Sequence, residues 1–257
     1  AGAQNPVPNG DFENWNSQTY EIPQNYIQSS NPDAFAAGIP FNTVKTTDAY
    51  NGTYAVKMTT KIVNTDTIFG YFINSDPNNN PPAPWPGGFS YSLTPTAITG
   101  YYKSNIPSPD TGRIILEFKN GGSVIGFYVF EFHGTHNTYT PFTFSLNPAL
   151  PSAPDTVIFA AASSDFANSS LNRNNSMLQL DYLSFTGVAS QPALFNGDFE
   201  NWDSKTLESP ISWYLQDSRG NGVNKTTDAY VGSNAVEMIT YLGDNNGVPI
   251  ARSGSVS

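Results

Sequence analysis

A seven-residue word occurs twice in this chain. NGDFENW fills residues 9–15 and returns unchanged at 196–202, an offset of 196 − 9 = 187. A second word, KTTDAY, follows each copy at 45–50 and 225–230, and there the offset is 225 − 45 = 180. The likeness then runs on from NGTYAVKM (51–58) to VGSNAVEM (231–238). Identities of this length do not arise by chance, so the chain carries two copies of one unit. The expected division is a complete unit over 1–188 and the opening part of a second over 189–257. Half a sandwich leaves unpaired strand edges. The missing strands would come from further chain, from packing on the first unit, or from another chain that donates them.

The unit reads as β-rich. Aromatic residues make up 14% of the chain and charged residues only 12%, whereas a helical protein would spend its surface on Glu, Lys, Arg, Ala and Leu. Residues 16–37, with Pro23 and Pro32, read as a long polar loop. Tyr26 stands where Trp213 stands in the second copy, which marks a core plug. Residues 54–60 alternate as a half-buried strand after the Asn51-Gly52 turn. A short strand follows at 68–73. Residues 75–89 hold five prolines; they deny ladder donors and predict an exposed loop carrying Trp85. Beyond it, strand signals recur at 97–104, 113–119, 124–132, 138–146, 156–162 and 177–185, with turn punctuation between them. No segment reads as an amphipathic helix. The expected fold is an all-β antiparallel jelly-roll β-sandwich. The strand 124–132 is apolar on both parities, so its outer face should be covered by a loop or form an aromatic platform, the cover being the expected case.

Charge and cysteine content exclude several classes. The net charge is −10, and the 11 Lys and Arg residues form no cluster; phosphate neutralisation needs a basic stripe, so nucleic acid is not an expected partner. There are no cysteines, which removes disulfides, thiolate metal sites and thiol nucleophiles. No apolar run is long enough to span a membrane. The opening AGAQN resembles a mature chain after signal removal, which predicts a secreted or cell-surface protein.

Taken together, NGDFENW, the TDAYNGTYAVKM segment and the closing strand LQLDYLSF (178–185) resemble secreted carbohydrate-binding jelly rolls of the galactose-binding-like kind. The resemblance is nearest to the carbohydrate-metabolism domains of polysaccharide-degrading bacteria with type IX secretion. It is looser to carbohydrate-binding modules of families four, nine and twenty-two. It implies a module of a larger multidomain protein, with polysaccharide or a surface glycan as partner, alongside further domains or a secretion or surface-attachment partner. It also implies a structural Ca²⁺ held by Glu13, Asp181 and a turn carbonyl, with the Asp48 carboxylate as a further ligand and Glu200 and Asp228 as second-copy equivalents. Two carboxylates plus carbonyls and water suit a hard cation. The family's closing Asp-Asp is Asp181-Tyr182 here, which removes one carboxylate. The plain alternative is that these acids accept turn amides in Asx-type arrangements.

Trp85, Tyr101, Tyr102 and Tyr128 are the candidate sugar platforms, because aromatic faces stack on the C–H faces of sugars. For Trp85 the plain alternative is a plug that packs its own loop. Trp15, Trp202 and Trp213 read as core. His133-x-x-His136 is a weak metal fragment in a turn. No carboxylate pair stands out for glycoside hydrolysis, and no nucleophile or phosphate-loop motif is present. Asp66-Thr67-Ile68 and Asp155-Thr156-Val157 match the Asp-Thr-apolar pattern that the same bacteria glycosylate, making Thr67 and Thr156 candidate O-glycosylation sites. The leading expectation is thus a non-catalytic carbohydrate-binding module. A structural or adhesive tandem repeat, acting as spacer or filament unit, is the alternative, and an enzyme comes third. Burial of the Trp85 loop against the second copy would favour the spacer.

Overall fold

The computed structural model describes residues 7–75, 84–188, 196–213, 222–245 and 248–253. The first copy supplies β1 (Trp15–Pro23), β2 (Gln28–Ser29), helix α1 (Asn31–Ala36), β3 (Thr43–Thr46), β4 (Ala55–Thr59), β5 (Lys61–Val63), β6 (Asp66–Ile68) and β7 (Tyr71–Ile73). It continues with β8 (Phe89–Ser90), β9 (Ala97–Ile106), β10 (Gly112–Asn120), β11 (Ser123–Phe132), β12 (Gly134–Ser145), β13 (Thr156–Ala162) and β14 (Met177–Thr186). The second copy supplies β15 (Trp202–Pro210), β16 (Val223–Thr226), β17 (Ala235–Met238), β18 (Thr240–Asn245) and β19 (Val248–Ser253).

Two antiparallel sheets form the sandwich. One has the order β11-β10-β13-β7-β2, with β8 also on β13; the other is β12-β9-β14-β4-β3. Strand parity builds the core. Ile114, Leu116 and Phe118 of β10 and Val157 and Phe159 of β13 meet Val56, Met58, Ile98, Leu178 and Leu180 from the facing sheet. Side chains on alternate residues share one face, so each strand needs only one such set. Yet β10 and β13 are buried on both faces, because the Trp85 loop lies over the outer face of this pair. Tyr26 is the expected plug, edge-on to Phe72 and Phe89.

Two expectations change. Residues 16–37 are not a loop, since they hold β1, β2 and α1. β1 is polar because residues 16–19 of it lie exposed in a two-stranded ribbon with β15, and its partner lies far off in sequence. α1 begins with Pro32 in its first turn and is six residues long, too short to show a periodic pattern. The outer face of β11 is not covered: Phe127 and Val129 stay exposed.

The two repeated words are exchanged between the copies. β1 and β15 pair antiparallel along their whole nine-residue lengths, with Thr19 opposite its own counterpart Thr206. Their hydroxyls lie 3.1 Å apart, so a local twofold axis passes between them. In an antiparallel ribbon the start of one strand lies beside the end of the other. Trp202 therefore sits opposite Pro23, and Trp15 opposite Pro210. The word before β15 is carried to the first unit, and the word before β1 to the second. Phe199 enters the first sandwich's core, 5.8 Å edge-on from Phe72, although it lies beyond residue 188. Phe12 packs on Trp213 of the second copy at 5.1 Å.

Candidate functional site

The loop that ends the proline-rich segment lies across the outer face of the six-stranded sheet. Trp85 is buried on Ile115, Ile158 and Ala160 and meets Phe127 edge-on at 6.1 Å. Two charged residues of β10 clasp the loop. The Trp85 N–H donates to Glu117 Oε1 at 2.7 Å, and Lys119 Nζ donates to the carbonyls of Trp85 and Gly87 at 2.5 and 2.9 Å. Burial pushes the Glu117 carboxyl up, against the pull of the Trp85 amide and of Lys119; burial likewise pushes the Lys119 ammonium down. Trp85 is thus a plug and one wall of a cleft rather than a free platform. It is buried against its own unit, not against the second copy.

Beside it opens a cleft of about 280 Å³. Phe69, Tyr71, Phe166 and Trp85 supply aromatic surface, and Ala160 and Ala162 the floor. Gln28, Asp33 and Ser75 add polar groups. The topology gathers them: β7 and β13 are paired neighbours whose outer parities give Tyr71, Ile73, Ala160 and Ala162, and small alanines keep the floor low. Phe166 follows the end of β13 and is 41% exposed. At this end Arg113 binds Asp165 at 2.6 Å and Glu131 at 3.2 Å, and its guanidinium lies 5.8 Å from the Phe166 ring. The sequence marked Trp85 but not Phe69, Tyr71 or Phe166. The outward parity of Tyr71 and an aromatic ring following a polar Ser-Ser-Asp run were the available signals.

The other aromatic candidates scatter. Tyr101 lies on the outside of the opposite sheet, stacked on Tyr50 at 3.4 Å and 12°, with Tyr182 at 6.4 Å; Tyr139 lies 5.8 Å from Tyr50. Tyr102 and Tyr128 are not platforms. Tyr102 has the opposite parity to Tyr101 and packs on Phe132 and Phe142. Tyr128 is core, its hydroxyl donating to the Pro148 carbonyl. Tyr139 donates to the Asp48 carbonyl at 2.6 Å, and burial pushes its hydroxyl up to about 12.

Of the expected calcium ligands, Asp181 and Glu200 meet at the turn 50–54, where burial first and the Glu200 charge further push the Asp181 carboxyl up; Glu13 does not join them. Asp181 accepts the amides of Tyr50 and Asn51 at 2.6 and 3.0 Å on one oxygen and that of Tyr182 at 2.7 Å on the other. Asp48 is held by Lys103 Nζ at 2.6 and 2.7 Å. Glu13 has gone with its word to the second copy, where it accepts the amides of Ser233 and Asn234. Glu200 takes its place beside the first unit's turn, accepting those of Thr53 and Tyr54. Asp228 is exposed, and its backbone N–H donates to Thr226 Oγ1. N–H donors and an ammonium stand where a cation needs oxygens, so these residues do not fit the ion. Among the described residues no three His, Cys, Asp or Glu gather for a metal. A thermal melt is expected to give the same midpoint with and without EDTA, since a ligand of the native state must raise it; a lower midpoint in EDTA would show the carboxylates turned toward an ion.

His133 lies 3.5 Å from Glu131 and His136 beside Tyr102, so the two rings do not form a pair of ligands. Thr67 lies in the β5–β6 hairpin and Thr156 at the start of β13; both are half-buried. No helix among the described residues is long and apolar enough to cross a membrane.

No protein-family model matches the chain, and no curated protein is significantly similar in sequence. Solved structures superpose on the chain in part. One, from Bacteroides thetaiotaomicron and provisionally described as a glycoside hydrolase, superposes with a TM-score of 0.51 at 13% identity, covering 63% of this chain and 63% of that one. Another so described, from Bacteroides vulgatus, gives 0.47 at 13% identity over 68% of this chain and 96% of that one. A family 16 carbohydrate-binding module gives 0.34 at 13% identity over 56% and 85%. At 13% identity the first of these similarities is one of architecture, an all-β antiparallel sandwich.

Proposed function

We propose that the first unit is a non-catalytic carbohydrate-binding module of a secreted or cell-surface multidomain protein, and that it holds sugar in the cleft between Trp85 and Phe166. The observation that carries this reading is the cleft itself. It sets aromatic faces around a flat alanine floor with a few polar groups, the combination that sugar rings require. Its volume of about 280 Å³ is just below the range of ligand sites, which span roughly 300–1,000 Å³, and suits a short stretch of glycan. The carboxylates nearby support binding rather than hydrolysis. Asp165 and Glu131 are engaged by Arg113, Glu117 is sealed under the Trp85 loop, and Asp33 is the one carboxylate among the described residues that lines the cleft. Hydrolysis needs two carboxylates facing each other across a glycosidic bond, and among the described residues the cleft lining holds one.

Phe166→Ala is the clean test, because that ring is exposed and its loss leaves the core intact. Affinity electrophoresis against a panel of neutral polysaccharides is expected to show retardation of the native chain and at least a ten-fold weaker affinity in the variant. Retardation by no polysaccharide, or equal retardation of both proteins, would sink the reading. The tandem-repeat alternative keeps one supporting observation, the reciprocal exchange of the two words. It gains nothing from Trp85.

A further inference from the structure

We infer that the turn after KTTDAY is a recognition site whose ligand is the NGDFENW word of another copy of this unit, on the same chain or on a second chain. The word is a preformed loop. Asn9 bridges to Asn14 through Nδ2–H···O=C and N–H···Oδ1 bonds at 2.8 and 3.0 Å. Asn196 bridges to Asn201 in the same way at 2.6 and 3.0 Å. Both words put Phe in the left-handed region, at φ +55 for Phe12 and +51 for Phe199. The shape therefore belongs to the word and not to its surroundings.

The socket reads backbone. Glu200 Oε1 accepts the Thr53 and Tyr54 amides at 2.8 and 2.9 Å, and Glu13 Oε1 accepts the Ser233 and Asn234 amides at 2.8 and 3.0 Å. The side chains at these two positions differ between the copies, yet the bonds are the same. What both sockets keep is glycine. Gly52 and Gly232 have φ +74 and +88, and a Cβ on either would stand 2.3 or 2.1 Å from the incoming carboxylate oxygen. Only glycine takes that φ freely and leaves that space. The strand continuation is equally symmetric, with Gln24 N–H to the Asn201 carbonyl and Ile211 N–H to the Asn14 carbonyl, both at 2.9 Å.

A contact that pairs residue i with j and j with i about a twofold is isologous, the form two identical subunits use. Here one chain makes it with itself. Nothing in the contact identifies the chain that supplies the word, since the word is identical and the bonds that both sockets share come from backbone amides. The partner it fits is a second copy of this chain, joined by mutual exchange.

The cysteine-free chain allows a direct test. Single-cysteine chains Thr53→Cys and Glu200→Cys are unfolded, mixed, refolded together at rising concentration and oxidised. The expected result is a disulfide-linked heterodimer whose yield grows with concentration, at least ten-fold above that of Thr53→Cys with a cysteine at the exposed Ser152. The mirrored pair, Ser233→Cys with Glu13→Cys, should behave alike. Because these changes remove a clasping carboxylate, the unaltered chain is also refolded at low and high concentration and sized by light scattering. A dimer that persists on dilution is expected from the high-concentration sample. Heterodimer no more abundant than the control, or a monomer at every concentration, would overturn the proposal.

Discussion

The two NGDFENW loops are the same object in two settings. Their internal bonds and left-handed residues coincide, so seven letters suffice for the local shape. Their burial does not coincide. Phe199 is fully enclosed by the first sandwich, edge-on to Phe72, while Phe12 rests half-buried on Trp213. The neighbouring words differ in the same sense. Tyr50 stacks on Tyr101, whereas its counterpart Tyr230 is fully exposed. Local conformation is thus a property of the word, and its stabilisation is a property of the socket that receives it.

The largest effect should separate the two phenylalanines. Phe199→Ala removes a ring from a closed core and is expected to cost about 3–5 kcal/mol. Phe12→Ala loses a partly exposed contact and should cost about 1–2 kcal/mol, in the ordinary range for single substitutions. Denaturant titration of each variant measures both. Equal losses would break the comparison, because they would mean that both loops are buried alike.

Next come the glycines of the sockets. Gly52→Ala meets both the left-handed φ and the Glu200 carboxylate, and a cost of about 1–3 kcal/mol is expected for a residue held in such a conformation. Gly232→Ala meets the same obstacle from Glu13 and should cost a similar amount, since here the two copies agree in geometry. If the carboxylate is the obstacle, Gly52→Ala combined with Glu200→Ala must cost less than the sum of the singles, as contacting residues are not additive. Full additivity would assign the whole penalty to φ and remove the carboxylate from the account.

These contrasts also show what the sequence could and could not disclose. The strands from β9 to β14 were legible because each carries its own alternation and turn residues; the expected strand 156–162 coincides with β13. β1 was not legible. Asn16, Ser17, Gln18 and Thr19 are polar on both parities, and what makes them a strand is a ladder to residues near 206. Pairing across such a separation leaves no trace in local composition. The exchange was hidden for the same reason: two identical words cannot reveal which socket each occupies. At the cleft, Trp85 stood out by its loop, but its inward direction depends on the clasp of Glu117 and Lys119 on that loop, and the strand's parity alone does not show which loop its outer face receives. Tyr102 and Tyr128 were misplaced although neighbouring Tyr101 and Tyr102 could not both face outward from one strand. Parity alone carried that part of the answer.

The smallest effect tests the TDAY words by pH. Asp48 is held below the usual carboxylate range, first by its hydrogen bond to Lys103 and further by the Gln179 amide, while partial burial opposes them. A carboxyl lowered in the folded state stabilises it above its ordinary value near 3.8 and loses that contribution as pH falls through the lowered one. Asp48→Asn should therefore flatten the acid end of the stability curve between pH 5 and the onset of acid unfolding. The effect should stay below about 1 kcal/mol, because Asp48 is largely exposed and solvent screens the pair. Asp228, in the same word of the second copy, has no ion-pair partner among the described residues, so Asp228→Asn is the control that lacks the Lys103 contact. Melting midpoints taken from pH 7 to pH 3 distinguish the two. An equal change in both variants would mean that the word itself, through its Asx turn, sets the titration, and that Lys103 contributes nothing the second copy lacks.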